Sequence, residues 1–239
     1  MSKISTLTAE NLCAVNEKVL RAVAGFAQIN QRRDIAPIFV IVPDRFTLAA
    51  EKILASFAPC LLNCRVVTFS MLFNVLNMGA TLVIDKTTGV LFLWRAIQEV
   101  RGDLLYFGNS AHQYAFAEKM FNTINQLTSC DADFDKLEGN AKSQITARKM
   151  HDIAVIRTKY KQLIGEQIDG AGVLDWLINN VTQNEVIKSA HVYMTGFEYV
   201  SRQRQEVFAR IARTARSFTV GVRDGSELEG RLNEIRFAL

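Results

Sequence analysis

Cysteine is scarce in this 239-residue chain and carries no pattern: Cys13, Cys60, Cys64 and Cys130 form no CxxC pair. That excludes a disulfide framework and suits a reduced, cytoplasmic protein. Cys60 and Cys64 are followed by no further ligands at zinc-finger spacing and read as buried or half-buried small hydrophobes. The three histidines, His112, His151 and His191, stand apart, none at H-x-x-x-H spacing, so no metal site is expected. His191 reads as the polar start of a strand. No run approaches the roughly eighteen apolar residues of a membrane span. Glu10 and Glu17 fall where a signal peptide would have its apolar core, so no membrane partner is expected. Charge of one sign is also in short supply: 28 Lys and Arg against 24 Asp and Glu give a net +4. The balance is compatible with nucleic acid or an acidic partner and establishes neither.

What is present is apolar patterning. The chain is 49% hydrophobic and 22% charged, the composition of a folded protein, and its length suits one large domain or a domain with an inserted lobe. Leu12, Val15, Val19, Val23 and Phe26 predict a helix over residues 8–27, capped by Thr8. After the polar turn INQRRD, the continuous run PIFVIVP predicts a strand over 38–42 buried on both faces, as in parallel sheets. A helix follows in DRFTLAAEKILASF, then a strand over Arg65–Phe69, then a short helix, MLFNVLNMG, closed by Gly79. From Lys86 to about Asn179 the pattern offers almost only helices, including Gly89–Val100 and segments around Phe116 and Ile153. Strands return at His191–Met194 and Ser217–Val222, flanking the helix SRQRQEVFARIARTA. The expected fold is α/β, a parallel sheet interrupted by an all-helical lobe: residues 1–80 begin the sheet domain, 81–188 form the lobe, and 189–239 return to the sheet. The closing GSELEGRLNEIRFAL reads as the start of another helix, an ending that suits a piece of a longer chain.

The stretches VIVPDRFTLAAE, RVVTFSMLF and VYMTGFEYVSRQ, in this order, resemble the amino-terminal region of the AddB/RexB subunit of bacterial ATP-dependent helicase–nuclease complexes. The resemblance extends through LVIDKTTGVLFLWRAI and KMHDIAVIRTKYKQLI and covers about residues 36–224. It implies a sheet of the P-loop, superfamily 1 helicase type with an inserted helical lobe. It also aligns VPDRFTLAAE and VTFSMLF with two loops that lie along single-stranded DNA in true helicases. VYMTGFEYVSRQ aligns with the Walker B strand, where a motor has adjacent Asp and Glu. Thr195 and Gly196 fall at those places, although many relatives keep an Asp before Gly-Phe. A glycine cannot act as the carboxylate that orients attacking water. The Walker A pattern GxxxxGK[ST] is missing too: KISTLTAENLCAVNEK has no glycine, and Lys18 sits deep in a predicted helix. The family's carboxyl-terminal nuclease motif has no counterpart either. The expectation is a segment without catalytic residues and without its own cofactor, inside a parent complex that uses ATP and Mg2+.

Candidate contact residues follow from sheet logic and from the resemblance together. Arg45, Thr47, Thr68 and Ser70 lie just beyond strand ends, where open parallel sheets place ligands, and offer a cation and hydroxyls to phosphate oxygens. Phe46 and Phe69 either stack on bases or pack the loops. Arg202, Arg204, Arg210, Arg213 and Arg216 crowd one helix off a single stripe and face DNA, a protein partner or solvent. The paired acids Asp131 and Asp133, and Glu227 and Glu229, read as solvated turn or helix-start charges. Three function classes result. The first is a non-motor domain contacting single-stranded or duplex-end DNA, and the second a docking scaffold for an AddA-like ATPase/nuclease subunit. The third, an autonomous small-molecule α/β enzyme, has no nucleophile–base constellation to support it.

Overall fold

The computed structural model describes residues 3–30, 36–130, 132–137, 139, 141–226 and 230. Its strands are β1 (Lys3–Ala9), β2 (Ile38–Ile41), β3 (Cys64–Val67), β4 (His191–Met194) and β5 (Ser217–Arg223). Its helices are α1 (Leu12–Asn30), α2 (Thr47–Phe57), α3 (Phe69–Asn77), α4 (Lys86–Glu99), α5 (Tyr114–Ser129), α6 (Gln144–Ile164), α7 (Gly172–Asn180), α8 (Glu185–Ser189) and α9 (Arg202–Thr214). The strands form one parallel sheet in the order β1-β5-β4-β2-β3. The chain divides into two compact units, Met1–Met78 with Leu174–Leu239, and Gly79–Val173.

In the sheet unit every residue of β2 is buried, as its unbroken apolar run requires of a central strand. Alternation along the strand sends Ile38, Val40 and Val42 into a core with Val15, Val19 and Leu20 of α1 and Ala50 and Leu54 of α2. Phe39 and Ile41 therefore point to the opposite face. Outside the core formed with α1 and α2, Phe69 of α3 lies 5.2 Å from Phe208 of α9, and Phe73 lies 4.9 Å from Trp176 of α7.

Several boundaries differ from the sequence expectation. The helix over 8–27 begins too early, because Lys3–Ala9 is an edge strand with Thr8 opposite Val222. Asn11 supplies the cap of α1 instead of Thr8, its side-chain oxygen accepting the Ala14 amide at 2.9 Å. Ile4 and Leu7 are three apart and give no period-2 signal, so pairing with β5 decides this segment. β3 stops at Val67, and Thr68 caps α3 by accepting the Met71 amide at 3.3 Å. Phe69 is thus the first residue of a helix rather than the last of a strand. That helix ends on Met78, left-handed at φ 50°, with Gly79 after it at φ 82°. Cys60 is exposed, whereas Cys64 is half-buried and burial pushes its thiol up to about 12. The helix read into 225–239 falls almost wholly outside the described residues, as do Asp131, Glu227 and Glu229.

Among the described residues of the second unit there is no strand, only a parallel bridge between Val83 and Ile168. Ile84 donates its amide to Ile168 at 2.8 Å and Ile168 donates to Leu82 at 3.0 Å, tying the two ends of the unit together. Helices α4, α5 and α6 enclose Leu93, Ile97, Phe121, Ile156 and Tyr160. Gly89 permits the close approach, since a Cβ there would lie 2.8 Å from the Phe121 ring. Two buried carboxylates hold the connections. Asp169 accepts the Tyr160 hydroxyl at 2.9 Å and the Gly172 amide at 2.8 Å. Burial, with the Asp169 charge beside it, holds the Tyr160 phenol well above its ordinary range. Asp152, fully buried on α6, accepts the amides of Leu105 at 2.8 Å, Tyr106 at 2.9 Å and Phe107 at 2.8 Å. Asp152→Ala strands three donors and is expected to cost at least about 3 kcal/mol in urea unfolding; a loss below about 1 kcal/mol would show that water replaces the carboxylate.

Candidate functional site

Between β2 and β4 the chain order of the sheet reverses: β2 is followed outward by β3 on one side, β4 by β5 on the other. The carboxyl ends at such a reversal form the crevice where open α/β sheets take ligands. Here the crevice is framed by Pro43–Phe46 after β2 and by Thr195 and Gly196 after β4.

Phe46 occupies part of it. Gly196 has φ 85°, and a Cβ there would lie 2.9 Å from Phe46 Cδ1 and 3.0 Å from Pro43 Cδ, so only glycine suits the position. The partly buried Phe46 ring is therefore packed on the β4 loop. Thr195 is fully buried and donates its hydroxyl to Asn16 Oδ1 of α1 at 2.7 Å. Gly221 of β5 completes this spot, since a Cβ there would lie 2.6 Å from Val19 Cγ2, 2.7 Å from Val15 Cγ1 and 3.0 Å from Thr195 Oγ1. Helix α1 thus rests directly on the strand backbone. Only Glu10 and Asn11 separate β1 from α1, and Lys18 Nζ donates to the Thr8 carbonyl at 2.9 Å. Asn16 and Gly221 went unnoticed in the sequence, although both left a trace: a polar residue on the apolar stripe of α1, and a glycine within the run SFTVGV.

The remaining candidates separate into surface and interior. Arg45 is exposed in a short 3-10 turn, Asp44–Phe46, and Ser70 is exposed in the first turn of α3. Thr47 is half-buried and donates its hydroxyl to the Asp44 carbonyl at 3.1 Å. Thr68 is buried and spends its oxygen on the α3 cap. Phe69 is only 8% exposed, with Phe197 at 6.1 Å and Phe208 at 5.2 Å between ring centres. Of the arginines, Arg204 lies 5.6 Å over the Phe69 ring, and Arg210 donates to Glu206 at 2.7 Å and to the Ile178 carbonyl at 2.9 Å. Arg202 and Arg213 are exposed on α9, and Arg216 lies beyond its end, where its amide donates to the Ala190 carbonyl at 3.0 Å. Among the described residues no group of three His, Cys, Asp or Glu could hold a metal ion, and no helix is long and apolar enough to cross a membrane.

These features define a parallel α/β protein carrying a helical unit between two parts of its sheet domain. Residues 19–232 match the model of the family described as ADDB, N-terminal, and the chain belongs to that family. Similar proteins are named as the B-type subunit of an ATP-dependent helicase/deoxyribonuclease. The one from Lachnoclostridium phytofermentans is 23% identical over 207 residues, which is 82% of this chain and 18% of that protein. Those from Bacillus thuringiensis and Bacillus mycoides are 26% and 25% identical, over 77% and 87% of this chain and 17% and 19% of theirs. The chain thus spans less than a fifth of the length of these relatives.

Thr195→Val leaves Asn16 without its donor and is expected to lower stability by about 1–3 kcal/mol, with much of the loss recovered in Thr195→Val combined with Asn16→Leu. Additive losses in the double variant would show that the hydrogen bond is not what couples α1 to β4.

Proposed function

We propose that this chain is the amino-terminal, helicase-like part of a helicase–nuclease subunit acting in double-strand-break end processing and recombinational repair, and that it contacts single-stranded DNA without hydrolysing ATP. The sheet is of the P-loop, superfamily 1 type, with its nucleotide site given over to packing. One observation carries this reading. Beyond the ends of β2 and β3, Arg45 and Ser70 remain exposed, while Thr195, at the place where a motor holds its first acid, is buried and bonded to Asn16.

A two-residue join between β1 and α1 leaves no span for a glycine-rich phosphate cradle. ATP and Mg2+ then belong to the parent complex and to an AddA-like ATPase/nuclease partner in the cytoplasm. A docking role for α9 is the second reading. It draws on Arg202 and Arg213, both exposed and eleven residues apart, which at 100° per residue places them on one side of the helix.

Anisotropy titration of a single-stranded oligonucleotide across a salt series tests the main reading. Arg45→Ala combined with Ser70→Ala is expected to bind more weakly, with a salt slope shallower by about 0.7 for the lost cation. Curves identical to wild type would remove these loops from the site and favour docking through α9. Calorimetric titration with ATP and Mg2+ is expected to give no binding, and a micromolar Kd would overturn the non-motor assignment.

A further inference from the structure

The buried carboxylate of Asp152 fixes a piece of surface as well as a piece of core. Both its oxygens are taken by the consecutive amides of Leu105, Tyr106 and Phe107, so the backbone of this loop is held at three successive points from one side. The side chains at its tip nonetheless face solvent, Leu105 being 56% and Tyr106 46% exposed. Packing from below adds to the restraint. Phe107 meets Tyr106 nearly edge-on at 5.0 Å and lies 5.1 Å from Phe116. Lys149, one turn before Asp152 on α6, places Nζ 4.6 Å from the centre of the Tyr106 ring.

A rigid, half-exposed aromatic ring with a cation against it, on a loop anchored by a buried charge, matches what single-stranded nucleic acid requires. The ring accepts a base by stacking, and the cation answers the adjacent phosphate. Charge supports this occupant. Lys149 and the exposed Arg148 form no ion pair among the described residues, and the acid nearest in sequence on α6, Asp152, is buried and fully used by the loop. Asp103, exposed in the turn before the loop, is the acid nearest the tip in sequence on that side. A flexible loop would lose much of the stacking energy in ordering itself; this one is ordered beforehand.

We propose that Tyr106 and Lys149 form a base-stacking and phosphate-binding step for single-stranded nucleic acid in the helical unit, separate from the loops at the sheet edge. The inference shares the nucleic-acid reading proposed above, and the test separates the two. The full chain is irradiated with a thymidine oligonucleotide carrying one 5-iodouracil, and the cross-linked peptides are mapped by mass spectrometry. Binding is measured in parallel by anisotropy for Tyr106→Phe, Tyr106→Ala, Lys149→Gln and Arg45→Ala.

A cross-link on Tyr106 is expected, with affinity kept in Tyr106→Phe and lowered about tenfold in Tyr106→Ala. Lys149→Gln is expected to flatten the salt slope by about 0.7. Because Tyr106 is exposed and Lys149 only half-buried, circular dichroism of the variants is expected to match wild type. If Arg45→Ala weakens binding while the Tyr106 and Lys149 variants do not, this inference fails and the sheet-edge reading stands. The reverse pattern sinks the sheet-edge site and leaves this one. Absence of any cross-link or binding overturns the inference, as does a Tyr106→Ala variant that binds DNA normally but no longer binds a protein partner.

Discussion

Strand order is the constraint from which the sheet unit follows. Because β5 lies between β1 and β4, the helix leaving β1 after only two residues has to travel over β5 before the chain can reach β2. It crosses where Gly221 removes the obstacle of a side chain, which brings Val15 and Val19 onto bare backbone. At that distance a polar group at the end of β4 meets the helix itself. Thr195 and Asn16 satisfy each other in a fully desolvated position, where either alone would be costly. Helix, strand order and polar pair are thus one arrangement.

A similar economy governs the helical unit. Its helices are joined by connections whose backbone donors could not all reach solvent, and single carboxylates collect them: Asp152 takes three amides, Asp169 an amide and a phenol. Each is a charge removed from water, tolerated because several donors converge on it. Asp169 also sits beside Ile168, whose bridge to Val83 ties together the two ends of the unit.

Much of this was legible in the sequence because burial on one or both sides leaves a period. The unbroken run at 38–42 gave β2, and the three-and-four spacing gave the body of α1. The amino-terminal strand was not legible, since an edge strand lined by Ser5, Thr6 and Thr8 shows neither alternation nor an apolar run, and its partner lies more than 200 residues away, Lys3 against Ser217. For the candidate site, residue type indicated the loops but not where side chains point. Thr68 and Phe69 look like ligand contacts in a list of strand ends; a cap and an aromatic cluster claim them instead. Arg45 and Ser70 stay on the surface. Asp152 was the most readable of the missed positions, a carboxylate among Met150, Ile153 and Ile156 on the buried stripe of a helix.

The pairing of β1 with β5 also sets an order of events during synthesis. The helical unit, Gly79–Val173, is built from contacts between neighbouring helices and can close as soon as it has left the ribosome. β1 has no such neighbour: its first residue, Lys3, waits for Ser217. At about 5–20 residues per second that is a delay of roughly ten to forty seconds. Throughout it Val15 and Val19 of α1, which meet β2 early, still lack the bare backbone of Gly221 on which they rest in the finished fold. A nascent chain of this design therefore completes its helical unit at Val173 while its sheet still waits for Ser217–Arg223, the strand on which β1 depends.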